Sequence, residues 1–123
     1  MENRKGSFNY KDLIVWQKAF ALCISIYQIT GFFPRSELYG LVSQLRRAAV
    51  SIPSNIAEGR SRVHAREYIN FLSISLGSAS ELETQLMIAK ELKYINEDRS
   101  QLISQNVIEV IKMIRGLLSS LRG

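Results

Sequence analysis

The densest run of chemically capable side chains is Arg60-Ser61-Arg62-Val63-His64-Ala65-Arg66. Guanidinium forks match phosphate oxygens well, so this segment points to phosphate binding. Its nearest aromatic is Tyr68, so stacking against nucleic-acid bases is not indicated. Other chemistry lacks its parts. His64 is the one histidine, which excludes a histidine-based metal cluster or a two-histidine relay. Cys23 is the one cysteine, which excludes an intramolecular disulfide and a multi-cysteine metal site. It lies in an apolar stretch, where a thiol is inert. Glu81 and Glu83 are two positions apart and cannot share a helix face. Glu58 and Glu67 lack the Glu-x-x-His pattern of a di-iron bundle. Gly77-Ser78-Ala79-Ser80 is rich in small residues but is no phosphate loop; on a helix it marks a place where another helix packs closely. The expectation is a chain without catalytic residues, metal or cofactor, and therefore not an enzyme.

Those residues must be carried by helices. The 123 residues suffice for one domain and are too few for two. An apolar fraction of 46% and two prolines argue against disorder. No period-two alternation runs long enough to suggest a sheet. Four helical stretches are expected: about 10–30, stopped by Gly31 and Pro34; about 36–58, capped by Ser36 and stopped by Gly59; about 65–92; and about 96–122, capped by Asn96 with Glu97 and Asp98 in its first turn. In the third, Ile69, Leu72, Leu76, Ala79 and Leu86 keep helical spacing. In the fourth, Ile103, Val107, Val110, Ile114, Leu117 and Leu121 do the same. Short connections make sequential helices antiparallel neighbours. The expected fold is all-α: an antiparallel up-down four-helix bundle spanning 1–123, with 1–9 as a flexible arm. Pro53 is expected to kink the second helix, with Ser51, Ser54 and Asn55 serving the freed backbone groups.

The first helix offers more apolar surface than one core face needs. From Leu13 to Ile29 only Gln17, Lys18, Ser25 and Gln28 are polar. Trp16, Phe20 and Tyr27 are the candidate contacts of an oligomer interface. The apolar run after Arg4 and Lys5 is broken by Asp12, Gln17 and Lys18, and no stretch is long enough to span a membrane. A cytoplasmic protein is the expectation, with no membrane contact.

Charge follows from the same topology. The net charge is +5. One end of the bundle collects Arg4, Lys5, Lys11, Arg60, Arg62, Arg66, Lys112, Arg115 and Arg122, against Glu2, Asp12, Glu58, Glu67 and Glu109, a surplus of four. The opposite end balances. Lys11, Arg60, Arg62, Arg66 and Arg115 are the candidate contacts to RNA or DNA phosphates. Arg46 and Arg47 lie about as far before the second turn as Glu81 and Glu83 lie after it, so cross-helix ion pairs are expected between them. A protein partner, recruited by the assembled chain acting as a scaffold, is the alternative to nucleic acid.

Finally, one long segment resembles a known family. Tyr39-Gly40-Leu41, followed by Gln44 through Gly59 with Arg46, Arg47, Pro53, Asn55, Glu58 and Gly59, resembles the 23S rRNA intervening sequence proteins. Asp12-Leu13 with Trp16 to Ala19 resembles their opening, and Phe71-Leu72, Gly77-Ser78 and Glu81 to Leu86 (Glu83 included) their third helix. The resemblance implies a bacterial four-helix bundle that assembles as a ring, often a pentamer, with no established enzymatic activity. It extends to the accessory protein of diversity-generating retroelements, a basic pentameric barrel that partners a reverse transcriptase and nucleic acid.

Overall fold

Four helices form where the periodicity expects them, and two of their starts are displaced. The computed structural model describes residues 9–123. It contains α1 (Ile14–Thr30), α2 (Leu41–Arg60), α3 (Ala65–Glu91) and α4 (Glu97–Arg122), and no strand among the described residues. Glu2, Arg4, Lys5 and all of the expected arm except Asn9 lie outside the described residues.

α1 begins at Ile14 rather than near Tyr10. Asn9 Oδ1 accepts the Lys11 N–H at 2.9 Å and holds Tyr10–Asp12 in a separate tight turn. Leu13 is extended and separates that turn from the helix. The Tyr10 ring then packs edge-on against Trp16 at 5.3 Å. α1 ends at Thr30 as expected. Gly31 stays right-handed there, and three successive tighter bonds, from Gly31, Phe32 and Phe33, unwind the chain before Pro34.

α2 begins at Leu41, not near Ser36. Gly40 leaves helical backbone angles, and the cap is Glu37, whose Oε1 accepts the Leu41 N–H at 3.1 Å. At its other end α2 runs through Gly59 to Arg60. Gly59 therefore does not stop the helix. It is buried, and a Cβ there would lie 2.7 Å from the Phe71 Cβ and 3.0 Å from Tyr68 Cδ1. Glycine is needed because α3 passes so close. The helical run is unbroken at Pro53, which is itself buried. Asn55 Nδ2 donates to the Ser51 carbonyl and hydroxyl, at 2.8 and 2.9 Å, rather than to the Ala49 carbonyl that Pro53 leaves without its usual donor.

The cross-helix contacts run in opposite sequence directions, as an antiparallel up-down bundle requires. Between α2 and α3, Gln44 meets Gln85, Ser51 meets Ser78 at 2.7 Å, and Gly59 meets Phe71. The Ser75 hydroxyl donates to the Ile52 carbonyl at 2.9 Å. This interface is made of small and hydroxyl-bearing residues, which let two helices approach closely. Ser78 and Ala79 are buried in it, whereas Gly77 and Ser80 face outward. Only half of the small-residue segment thus serves packing within the chain. α1 lies against α2 and α4, and α3 against the same two, so α1 and α3 occupy diagonal corners.

Leu22, Ile26, Leu45, Ile52, Ile56, Leu72, Leu82, Val107 and Ile114 fill the centre. Burying each contributes about 1.5–3 kcal/mol. Leu118 is buried where Leu117 and Leu121 were expected, and those two are half-buried, as are Ile69 and Leu76. The Lys93 backbone is left-handed (φ 64°) and ends α3, with the Tyr94 N–H returning to the Ala89 carbonyl at 2.9 Å. Asn96 Oδ1 caps α4 through the Arg99 N–H at 2.8 Å, as expected.

The ion pairs expected from Arg46 and Arg47 to Glu81 and Glu83 do not form. Arg46 turns the other way, towards the end of α1. Its Nε donates to Thr30 Oγ1 at 2.9 Å, its Nη2 donates to the Tyr27 carbonyl at 3.3 Å, and its guanidinium covers the Tyr27 ring at 4.7 Å. The unpaired carbonyls and partial negative charge of a helix C-terminus draw it there.

Candidate nucleic-acid interface

The residues 61–64 turn α2 into α3. Ser61 closes α2 by donating twice to the Ala57 carbonyl, from its N–H at 3.1 Å and its hydroxyl at 2.9 Å. His64 is extended, and its carbonyl accepts the N–H groups of Glu67 and Tyr68 to start α3. The arginines that flank this turn are held differently. Arg60 is half-buried, with its guanidinium 5.8 Å from the Tyr68 ring centre. Arg62 pairs with Glu58 at 2.7 Å and lies over the Phe71 ring at 5.0 Å. Arg66 is exposed, and among the described residues it makes no ion pair.

Arg115 is brought elsewhere. With Arg122, Leu76, Leu118 and Ser119 it lines an open groove of about 450 Å³ between α3 and α4. Lys11 stands exposed in the turn before α1. The five expected contacts therefore occupy one end of the bundle but not one pocket: three surround the α2–α3 turn, one lies in the α3–α4 groove and one lies at the start of α1. Arg122 was not among them. Its seven-residue spacing from Arg115 puts both on one helix face, a signal the sequence carried.

Tyr68 is pushed above the ordinary phenol range by burial, an effect the nearby Arg60 charge opposes. Burial pushes the Cys23 thiol up, which keeps it protonated and weakly nucleophilic. No group of three histidine, cysteine, aspartate or glutamate side chains could hold a metal among the described residues.

A second surface lies on α1. Phe20 and Tyr27 are 49% and 43% exposed, Ile24 is exposed beside them, and Trp16 is half-buried with its ring 5.1 Å from that of Phe20. Among the described residues no helix is long and apolar enough to cross a membrane.

The profile of the 23S rRNA-intervening sequence proteins matches residues 11–116, nearly the whole bundle. The chain belongs to that family. A solved structure of an S23 ribosomal protein family member from Bacteroides thetaiotaomicron, described as of unknown function, superposes with a TM-score of 0.80. It is 24% identical, and the match covers 85% of this chain and 98% of that one, so the likeness carries the four-helix fold. No curated protein matches the chain. Within this intervening-sequence family member, the Gln44 to Gly59 segment that carries the resemblance is largely accounted for by packing. Ser51, Ile52 and Gly59 make the close α2–α3 contact, and Arg46 secures the end of α1.

Proposed function

We propose that this chain is a non-catalytic homo-oligomer that binds RNA or DNA through phosphate contacts at its basic end. The observation that carries the reading is the charge asymmetry. Among the described residues that end presents Lys11, Arg60, Arg62, Arg66, Lys112, Arg115 and Arg122 against Asp12, Glu58, Glu67 and Glu109. At the other end Arg35, Lys90, Lys93 and Arg99 are matched one for one by Glu37, Glu91, Glu97 and Asp98. Binding through such a surface gains from counterion release and is insensitive to sequence, because among the described residues no exposed aromatic ring stands among the arginines to stack on a base. Repeating that end around an assembly, a pentamer in the family resemblance, multiplies the number of phosphates engaged.

The test is a titration of labelled single- and double-stranded RNA and DNA at several salt concentrations. Binding should weaken steeply with salt. Arg66→Gln and Arg115→Gln, both exposed, should each lower the salt slope by about one unit without changing sequence preference. No binding at low salt sinks this reading. A tight protein partner, such as a reverse transcriptase, would then make the chain a recruiting scaffold.

A further inference from the structure

The exposed face of α1 is a ridge of large side chains, Trp16, Phe20, Ile24 and Tyr27. The exposed face of α3, on the diagonal corner, carries a strip of small side chains at the same height, with Ser73, Gly77, Ser80 and Thr84 outward and the exposed Ile74 at its edge. Nothing lies within 4 Å of the position a Gly77 Cβ would take.

Levels along the bundle can be traced from α1 to α3 by two routes. Through α2, Thr30 stands beside Arg46, and the Ser51–Ser78 contact sets Arg46 level with Glu83. Phe20, ten residues before Thr30, is then level with Ser73, ten before Glu83. Through α4, Lys18 stands beside Glu109, and Lys90 beside Glu97, which sets Glu109 level with Ser78. Phe20 is then level with Ser80. Gly77 lies midway between the two results. The charges beside these faces are also complementary. Arg46 lies over the Tyr27 ring of the ridge, Glu81 and Glu83 stand on α3 beside the strip, and none of the three makes an ion pair among the described residues.

We infer that the ridge of one copy docks on the α3 strip of the next, with Phe20 seated over Gly77. This rests on the self-association proposed above and says which surfaces make it. Two different faces on diagonal corners give a head-to-tail contact, and because ridge and strip are level, copies repeat without a step along the bundle, so the series closes wherever the turn from copy to copy is an even fraction of a full circle. The carboxylate that Arg46 does not reach within the chain comes from the neighbouring copy.

Two variants of the full chain separate the faces. Phe20→Glu blocks the ridge, with Ile24→Glu as its substitute. Gly77→Gln fills the strip, where the open space and the helix preference of Gln keep the fold intact. Circular dichroism should show wild-type helicity for each, and sedimentation velocity should show monomers. Mixed in equal amounts, Phe20→Glu and Gly77→Gln should sediment as a dimer of twice the monomer mass, because an intact ridge then meets an intact strip. If the wild type assembles but the mixture stays monomeric, or if either variant assembles like the wild type, the contact lies elsewhere and this inference fails alone. A wild type that is monomeric at every concentration overturns the self-association itself.

Discussion

Two glycines in helices show how one residue type does opposite jobs. Gly59 lies where a methyl group would press on Phe71 and Tyr68, while nothing lies within 4 Å of the Cβ position at Gly116. Gly59→Ala should therefore destabilise the protein by about 1–3 kcal/mol, the usual cost of forcing an atom into a packed core. Gly116→Ala should stabilise it by ~0.5–1 kcal/mol, because alanine loses less backbone freedom in a helix. Urea unfolding of both variants checks the pair. Equal shifts would mean that Gly59 is tolerated only as a weak helix former, and that the α2–α3 approach does not depend on it. At the same scale, Arg46 shows why residue type alone did not reveal a partner. A guanidinium can serve a carboxylate or a helix end, and only position decides.

At the scale of the element, the connection between α3 and α4 is tied to the start of α2 by one carboxylate. Glu37 Oε1 accepts the first N–H of α2, and its Oε2 accepts the Tyr94 hydroxyl at 3.0 Å. That hydrogen bond, with some burial and the Glu37 charge, raises the Tyr94 hydroxyl above the ordinary phenol range. The folded state therefore holds this proton more tightly than the unfolded chain. The contribution is fully present below the unfolded value and is lost as pH rises through the folded one. Stability should fall in the alkaline window that opens near the ordinary phenol value of about 10. Tyr94→Phe should show a shallower fall over that window. Tyr68, raised by burial, leaves a residual slope in both proteins. Thermal midpoints measured across the window decide the matter, and identical slopes would rule the Tyr94–Glu37 bond out as a stabilising contact.

The whole molecule is electrically lopsided, and its two ends should behave differently towards polyanions. Lys90 pairs with Glu97 at 3.4 Å, and Arg99 lies over the exposed Phe32 ring at 5.7 Å, both at the balanced end. Lys90→Gln and Arg99→Gln should leave nucleic-acid affinity and its salt slope unchanged, in contrast to Arg66→Gln and Arg115→Gln. Loss of affinity from either end alike would show that net charge rather than its placement draws the polyanion. A ring with all copies in the same orientation would set the basic ends on one rim, so binding and assembly should weaken together.

Much of this was legible in the sequence, because the information is local and periodic. The spacing of Ile103, Val107, Val110 and Ile114, the cap at Asn96 and the Gly31-Pro34 signal determine helices, their number and most of their ends. The surplus of lysine and arginine at one end follows once the helices alternate in direction. What the sequence could not settle depends on distances between helices. Glu37 rather than Ser36 caps α2 because Gly40 delays the helix to Leu41, whose N–H the longer Glu37 side chain reaches. Gly59 reads as a stop signal until α3 is placed against it. Arg46 is as close in sequence logic to Glu81 as to Thr30, and folding brings it to the latter. Which small residues of Gly77 to Ser80 are buried, and which stay open to another copy, is set by the rotation of α3 about its axis. That rotation is fixed by the packing of Leu72, Ala79 and Leu82 in the core, a property of the whole bundle and of no single segment.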